Sequence, residues 1–132
     1  IETLKQKARP YVFSNLMPPV VATIAAEAIR VMKREPWRLK RLNQNVRTFS
    51  NLANSFGIRL PVGHSHPIVP LQGSDDAAVS RAGEMLGDHD IHAVAMMYPV
   101  VPQGKARVRI QLTSGHTEEE MNRLLSIWRE CI

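Results

Sequence analysis

Two arginines spaced by one residue, Arg107 and Arg109, sit in a strict alternation, Arg107-Val108-Arg109-Ile110-Gln111-Leu112. A period of two marks a strand with Val108, Ile110 and Leu112 turned to a core and the arginines and Gln111 turned the other way. A guanidinium is planar, permanently charged and carries paired N–H groups that match a carboxylate or phosphate. Just upstream, Tyr98-Pro99-Val100-Val101-Pro102 is punctuated by prolines, each with a fixed φ and no N–H, so it cannot pair fully inside a sheet. Gln103-Gly104-Lys105 then reads as a turn. Beside so rigid a loop, two arginines on one strand face form a fixed fork for an oxyanion. The same pattern also describes a solvated face, which is the commoner fate of strand charges.

Other chemistry-bearing residues point to duller roles. His64 and His66 have a spacing that suits two metal ligands, but the connector Gly57–Pro67 supplies no cysteine or carboxylate beside them. A polar loop is the better reading, and no metal site is assigned. Asp75 and Asp76 follow Ser74 at a helix start, where acids meet the positive end of the helix dipole. Lys33, Arg34, Arg38, Lys40 and Arg41 bunch together in a chain of net charge +5. Trp37 is the only aromatic inside that cluster, and no nucleic-acid motif accompanies it, so a nucleic-acid interface ranks last.

Residues 1–16 start as a short polar helix and turn extended at Arg9-Pro10. They have no evident partner in the rest of the chain and read as an arm. Pro18-Pro19 opens a helix with Val20, Val21, Ile24, Ala25, Ala28, Ile29 and Met32 on one stripe, ending near Glu35. A second helix spans about 36–56, with Gly57 at its left-handed C-terminal position. Both stripes are expected to be core. A short strand follows at 66–72, with Pro67 and Pro70 placing it at an edge. Ser74 is read as the cap of the next helix, which Gly87 ends. A strand at 91–97 pairs with the arginine strand as a wide-looped antiparallel unit. Thr117 and Glu120 form a capping box for a last helix whose apolar face is Met121, Leu124, Leu125 and Trp128. The expected architecture is α+β: a three-stranded, mainly antiparallel sheet with helices packed on one face.

Composition sets outer bounds. A chain of 132 residues fits one domain, and no apolar run approaches the roughly 20 residues that span a bilayer. One cysteine, Cys131, excludes an internal disulfide, and nothing resembles a secretory leader. The reading is a non-secreted protein without a membrane span. The absence of an initiator methionine favours an excised piece of a longer protein.

Three segments, ARPYVFSNLMPP at 8–19, SHPIVPLQG at 65–73 and YPVVPQGKARVRIQLTSGHT at 98–117, together resemble the α-oxoamine synthases, enzymes that use pyridoxal 5'-phosphate. Within that family the first and last segments look like the branch of 2-amino-3-ketobutyrate coenzyme A ligase, or glycine C-acetyltransferase. The resemblance covers essentially the whole chain and implies the small C-terminal domain of a fold-type I enzyme, residues 17–132, preceded by the arm 1–16. It implies a homodimer that condenses glycine with acetyl-CoA to 2-amino-3-oxobutyrate, a step of threonine catabolism, in mitochondria or cytoplasm. Carried over residue by residue, Arg109 matches the arginine that binds the substrate carboxylate. Ser14 matches the arm segment that reaches the cofactor phosphate across the dimer, although Leu16 stands where a second serine is frequent. Tyr98 and Pro99 become a wall of the pocket, and Arg107 stays structural or solvated. The lysine that bonds the cofactor belongs to the family's large domain, so the chain by itself is expected to be inactive. A non-catalytic partner subunit is the alternative, with activity of the 8-amino-7-oxononanoate synthase type ranked lower.

Overall fold

The computed structural model describes residues 1–8 and 17–131. It divides into two compact units, Ile1–Pro36 and Trp37–Ile132. The first unit holds α1 (Glu2–Lys7) and α2 (Pro19–Arg34). Pro19 takes the first helical position, where the missing N–H costs nothing. No residue of either helix is buried. The stripe expected to be core is instead open on α2: Val20, Ile24 and Met32 are all more than 60% exposed. Its helical spacing is real, and its apolar residues stay exposed.

The second unit holds α3 (Trp37–Ser55), β1 (Ile68–Gln72), α4 (Asp76–Asp88), β2 (Val94–Met96), β3 (Arg107–Gln111) and α5 (Glu118–Cys131). The three strands form one antiparallel sheet in the order β1-β3-β2, so the arginine strand is central. The two prolines do place β1 at an edge, with Pro70 opposite Arg109. The ladder is prolonged beyond β1 by Leu112 N–H to the Pro67 carbonyl and Gly73 N–H to the Ala106 carbonyl. Alternation sorts the two faces as the sequence implied. Val69 and Leu71 of β1 and Val108 and Ile110 of β3 are buried beneath Phe49 and Ala53 of α3, Val79 and Leu86 of α4, and Leu125 and Trp128 of α5. Only this side of the sheet carries the core, and the α+β reading with helices on one face holds. Gly83 of α4 stands where an added Cβ would come within 3.0 Å of Ala95 Cβ on β2, so that helix rides close on the strand.

Caps hold the ends. Gly57 closes α3 at φ +73, and the Ile58 N–H bonds the Ala53 carbonyl. The cap of α4 is Asp75 rather than Ser74: its Oδ1 accepts the Ala78 N–H at 2.8 Å, while the Ser74 hydroxyl only leans on Oδ2 at 3.3 Å. A carboxylate outcompetes a hydroxyl as acceptor for an unpaired helix N–H. The helix runs one residue past Gly87 to Asp88. The capping box before α5 is complete: Glu120 Oε2 accepts the Thr117 N–H at 2.8 Å, and Thr117 Oγ1 accepts the Glu120 N–H at 3.2 Å. Chiefly through these backbone N–H groups, both carboxyls are held below their ordinary values of 3.8 and 4.5. A group with a lowered folded pKa stabilises above its unfolded value and loses that contribution as pH falls through the folded one. Acid titration followed by circular dichroism should therefore show stability falling below about pH 4.5, with Thr117→Ala costing about 1 kcal/mol at neutral pH.

One buried polar residue links helix to site. Asn45 of α3 is 5% exposed, and its Nδ2 donates to the carbonyls of Thr113 at 2.8 Å and His116 at 2.9 Å. It fixes the turn that carries β3 into α5. Asn45→Leu should strand both carbonyls and cost about 1–3 kcal/mol, read as a lower urea midpoint with an unchanged slope.

Candidate anion-binding face of the sheet

The side of the sheet opposite the helices carries the chemistry. Register puts Pro70, Arg109 and Val94 in one row across it, and Gln72, Arg107 and Met96 in the next. Because β3 is bonded on both edges, Arg107 and Arg109 start from the most constrained backbone of the sheet. Both guanidiniums are half-buried and line an open depression of about 510 Å³ together with His64, His66, Ile68, Pro70 and Met96. Neither makes an ion pair with any described residue. The Nε of Arg107 and the Nε2 of His64 are shielded from solvent and find no hydrogen-bond partner among the described residues. A buried polar atom without a partner costs about 1–3 kcal/mol.

His66, set aside as a loop residue by its spacing, lies on this same rim. Its Nδ1 accepts the Ile68 N–H at 3.1 Å, at the point where β1 begins. Arg107, read as structural or solvated, proves to share the depression with Arg109. Neither role was visible in the alternation, because it takes the pairing with β1 to bring the 64–66 connector alongside β3. Tyr98 and Pro99 are exposed and do not line the depression within this chain. They follow β2 and enter a loop anchored by Val100 and Val101 N–H bonds to the Met97 carbonyl and by a turn at Gly104, φ +71. Ser14 lies outside the described residues. What the face can do is chemically narrow: two arginines with no counter-ion among the described residues suit an anionic group.

Comparison with known proteins supplies the class. The model of the aminotransferase class I and II family matches residues 1–127. The chain belongs to that family, and its relatives place it among the α-oxoamine synthases, whose cofactor is pyridoxal 5'-phosphate. It is 39% identical over 132 residues to an 8-amino-7-oxononanoate synthase of Stutzerimonas stutzeri, covering 99% of this chain and 33% of the relative. It is 32% identical over 130 residues to the human mitochondrial 2-amino-3-ketobutyrate coenzyme A ligase, covering 98% of this chain and 31% of the relative. Among solved structures, the 8-amino-7-oxononanoate synthase of Francisella tularensis superposes with a TM-score of 0.82 at 24% identity, over 98% of this chain and 37% of the other. A serine palmitoyltransferase of Sphingomonas wittichii gives 0.84 at 24%, over 98% and 33%. The chain thus spans about a third of the length of the curated relatives it matches. No described helix is long and apolar enough to cross a membrane.

Proposed function

We propose that residues 17–132 are the substrate-binding small domain, and residues 1–16 the arm, of a pyridoxal-phosphate-dependent α-oxoamine synthase that condenses glycine with acetyl-CoA to 2-amino-3-oxobutyrate. The observation that carries this reading is Arg109, a central-strand guanidinium over an open depression with no protein partner among the described residues. Its fork takes the glycine carboxylate in two parallel N–H···O bonds, which fixes the direction of the Cα–H bond that must be broken. The unpaired cations of this face fit the anionic substrates of such an enzyme, and the cofactor, when bound, supplies the electron sink for the carbanion. The new bond joins the glycine Cα to the acetyl carbonyl carbon, the Cα gives up a proton, and coenzyme A leaves as the thiol. The product keeps its carboxylate, so the bond to Arg109 persists from substrate to product. Ser14 is assigned to the cofactor phosphate of the other subunit in a homodimer, and Tyr98 with Pro99 to a wall of the assembled pocket. These assignments rest on the resemblance of the flanking segments.

The test is a thiol-release assay on the full-length protein with the cofactor, glycine and acetyl-CoA. Turnover with 2-amino-3-oxobutyrate as product is expected, and none from the 132-residue chain alone. A second reading has its own support: 8-amino-7-oxononanoate synthases recur among the relatives, at up to 39% identity. Their named product bears no carboxylate on the amino-bearing carbon, so an amino-acid donor must lose CO2. Because 2-amino-3-oxobutyrate is a β-keto acid that also loses CO2 unaided, the donor discriminates. Turnover with glycine and acetyl-CoA selects the first reading, and a requirement for alanine, whose methyl becomes the terminal methyl of the other product, selects the second.

A further inference from the structure

The Ile68 N–H donates to His66 Nδ1, so Nδ1 carries no proton. In the neutral ring the proton must then sit on Nε2, which makes the distal nitrogen a hydrogen-bond donor. The backbone bond thus selects one tautomer. The backbone bond also fixes the ring's place at the start of β1, on the rim of the depression that holds Arg109. Nε2 has no partner among the described residues. The fixed end is the one toward the backbone, and the free end is a donor on the rim of the depression that Arg109 also lines, where that arginine has no ion pair among the described residues.

We propose that His66 is a substrate-binding residue, its Nε2–H donating to the carboxylate that Arg109 grips. A carboxylate has about four lone-pair sites, and the Arg109 fork fills two. A donor on the β1 side fills a third. The inference rests on the carboxylate role of Arg109 proposed above, and it extends that role to a site assembled from both β3 and the connector before β1.

The amide side chains offer a clean test in the full-length enzyme. His66→Asn retains an acceptor near Nδ1 for the Ile68 N–H but has nothing at Nε2. His66→Gln places an amide N–H near Nε2 and gives up the acceptor. If the distal donor matters, His66→Asn should raise the KM for the amino-acid substrate about 10- to 100-fold, the usual range for a hydrogen bond to a charged group, and leave the KM for the acyl-CoA unchanged. His66→Gln should stay within a few-fold of the parent. A purely structural histidine predicts the reverse order, with Asn tolerated and Gln impaired, and that order would overturn the proposal. So would a loss confined to kcat or to the acyl-CoA, which would put Nε2 on the acyl carbonyl oxygen instead. Arg109→Ala, run alongside, separates the two levels. If it weakens the amino acid while His66→Asn does nothing, only the histidine assignment fails. If Arg109→Ala itself does nothing, the carboxylate site lies elsewhere.

Discussion

Replacing Arg109 with alanine is expected to raise the KM for glycine by two to three orders of magnitude while leaving the KM for acetyl-CoA where it was. The size follows from the setting. Arg109 has no counter-ion among the described residues, so under the proposed reading its partner is the substrate carboxylate. Removing one member of a desolvated, hydrogen-bonded charge pair costs about 2–5 kcal/mol, which is roughly 30- to several-thousand-fold in affinity. Lysine in its place keeps the charge and loses the planar fork, so Arg109→Lys should fall between the two. The fold should not notice either change, because the side chain points away from the core that Val108 and Ile110 enter from the same strand. Urea midpoints equal to the parent's, together with a normal cofactor spectrum, would show that the loss is one of binding. An unchanged glycine KM would sink the assignment.

The split between the apolar and polar faces of β3 was legible in the sequence. The alternation through 107–112 states which side chains go in and which go out, and the prolines at 67 and 70 state that β1 takes an edge. The capping box at Thr117 and Glu120 and the glycine at 57 mark helix ends through local backbone chemistry, which acts over a few residues and so is written locally. Two things were not. The stripe of α2 has the same helical spacing as that of α3, yet α2 buries nothing while α3 buries Val46, Phe49 and Ala53. Periodicity shows that a face is apolar and is silent about what covers it. The histidines at 64 and 66 were judged by the metal-ligand pattern they lack, whereas their relation to Arg109 arises from the strand pairing of Ile68 with Gln111, a contact 43 residues apart in sequence (111 − 68). The cap at Asp75 instead of Ser74 is the smaller lesson. Where two capping residues are adjacent, the charged acceptor takes the N–H, and the helix starts one residue later than the first of them suggests.

The largest effect on stability should come from the other side of the sheet, at Phe49. This side chain is fully buried on α3, one helical turn after Asn45, in the cluster that joins α3 to the sheet and to α5. Phe49→Ala removes the whole aromatic ring from a fully buried site. Such truncations cost about 3–5 kcal/mol, against a total of about 5–15 kcal/mol for a typical domain. The neighbourhood offers little chance of collapse. Phe49 already borders a cleft of about 310 Å³ with Ile110, Leu112, Met121 and Leu124, so the lost volume would merge with existing space. Phe49→Leu, which keeps most of the volume, should cost roughly 1.5 kcal/mol or less. Chemical denaturation of the three proteins would show the order parent, leucine, alanine in falling midpoint. Because Ile110 borders the same cleft and adjoins Arg109, the alanine variant should also loosen the fork from behind. Glycine KM should then rise in Phe49→Ala under conditions where it is still folded, and by less than in Arg109→Ala. A midpoint barely changed by Phe49→Ala would mean that α3 is held to the sheet by Asn45 and its two carbonyls more than by apolar burial.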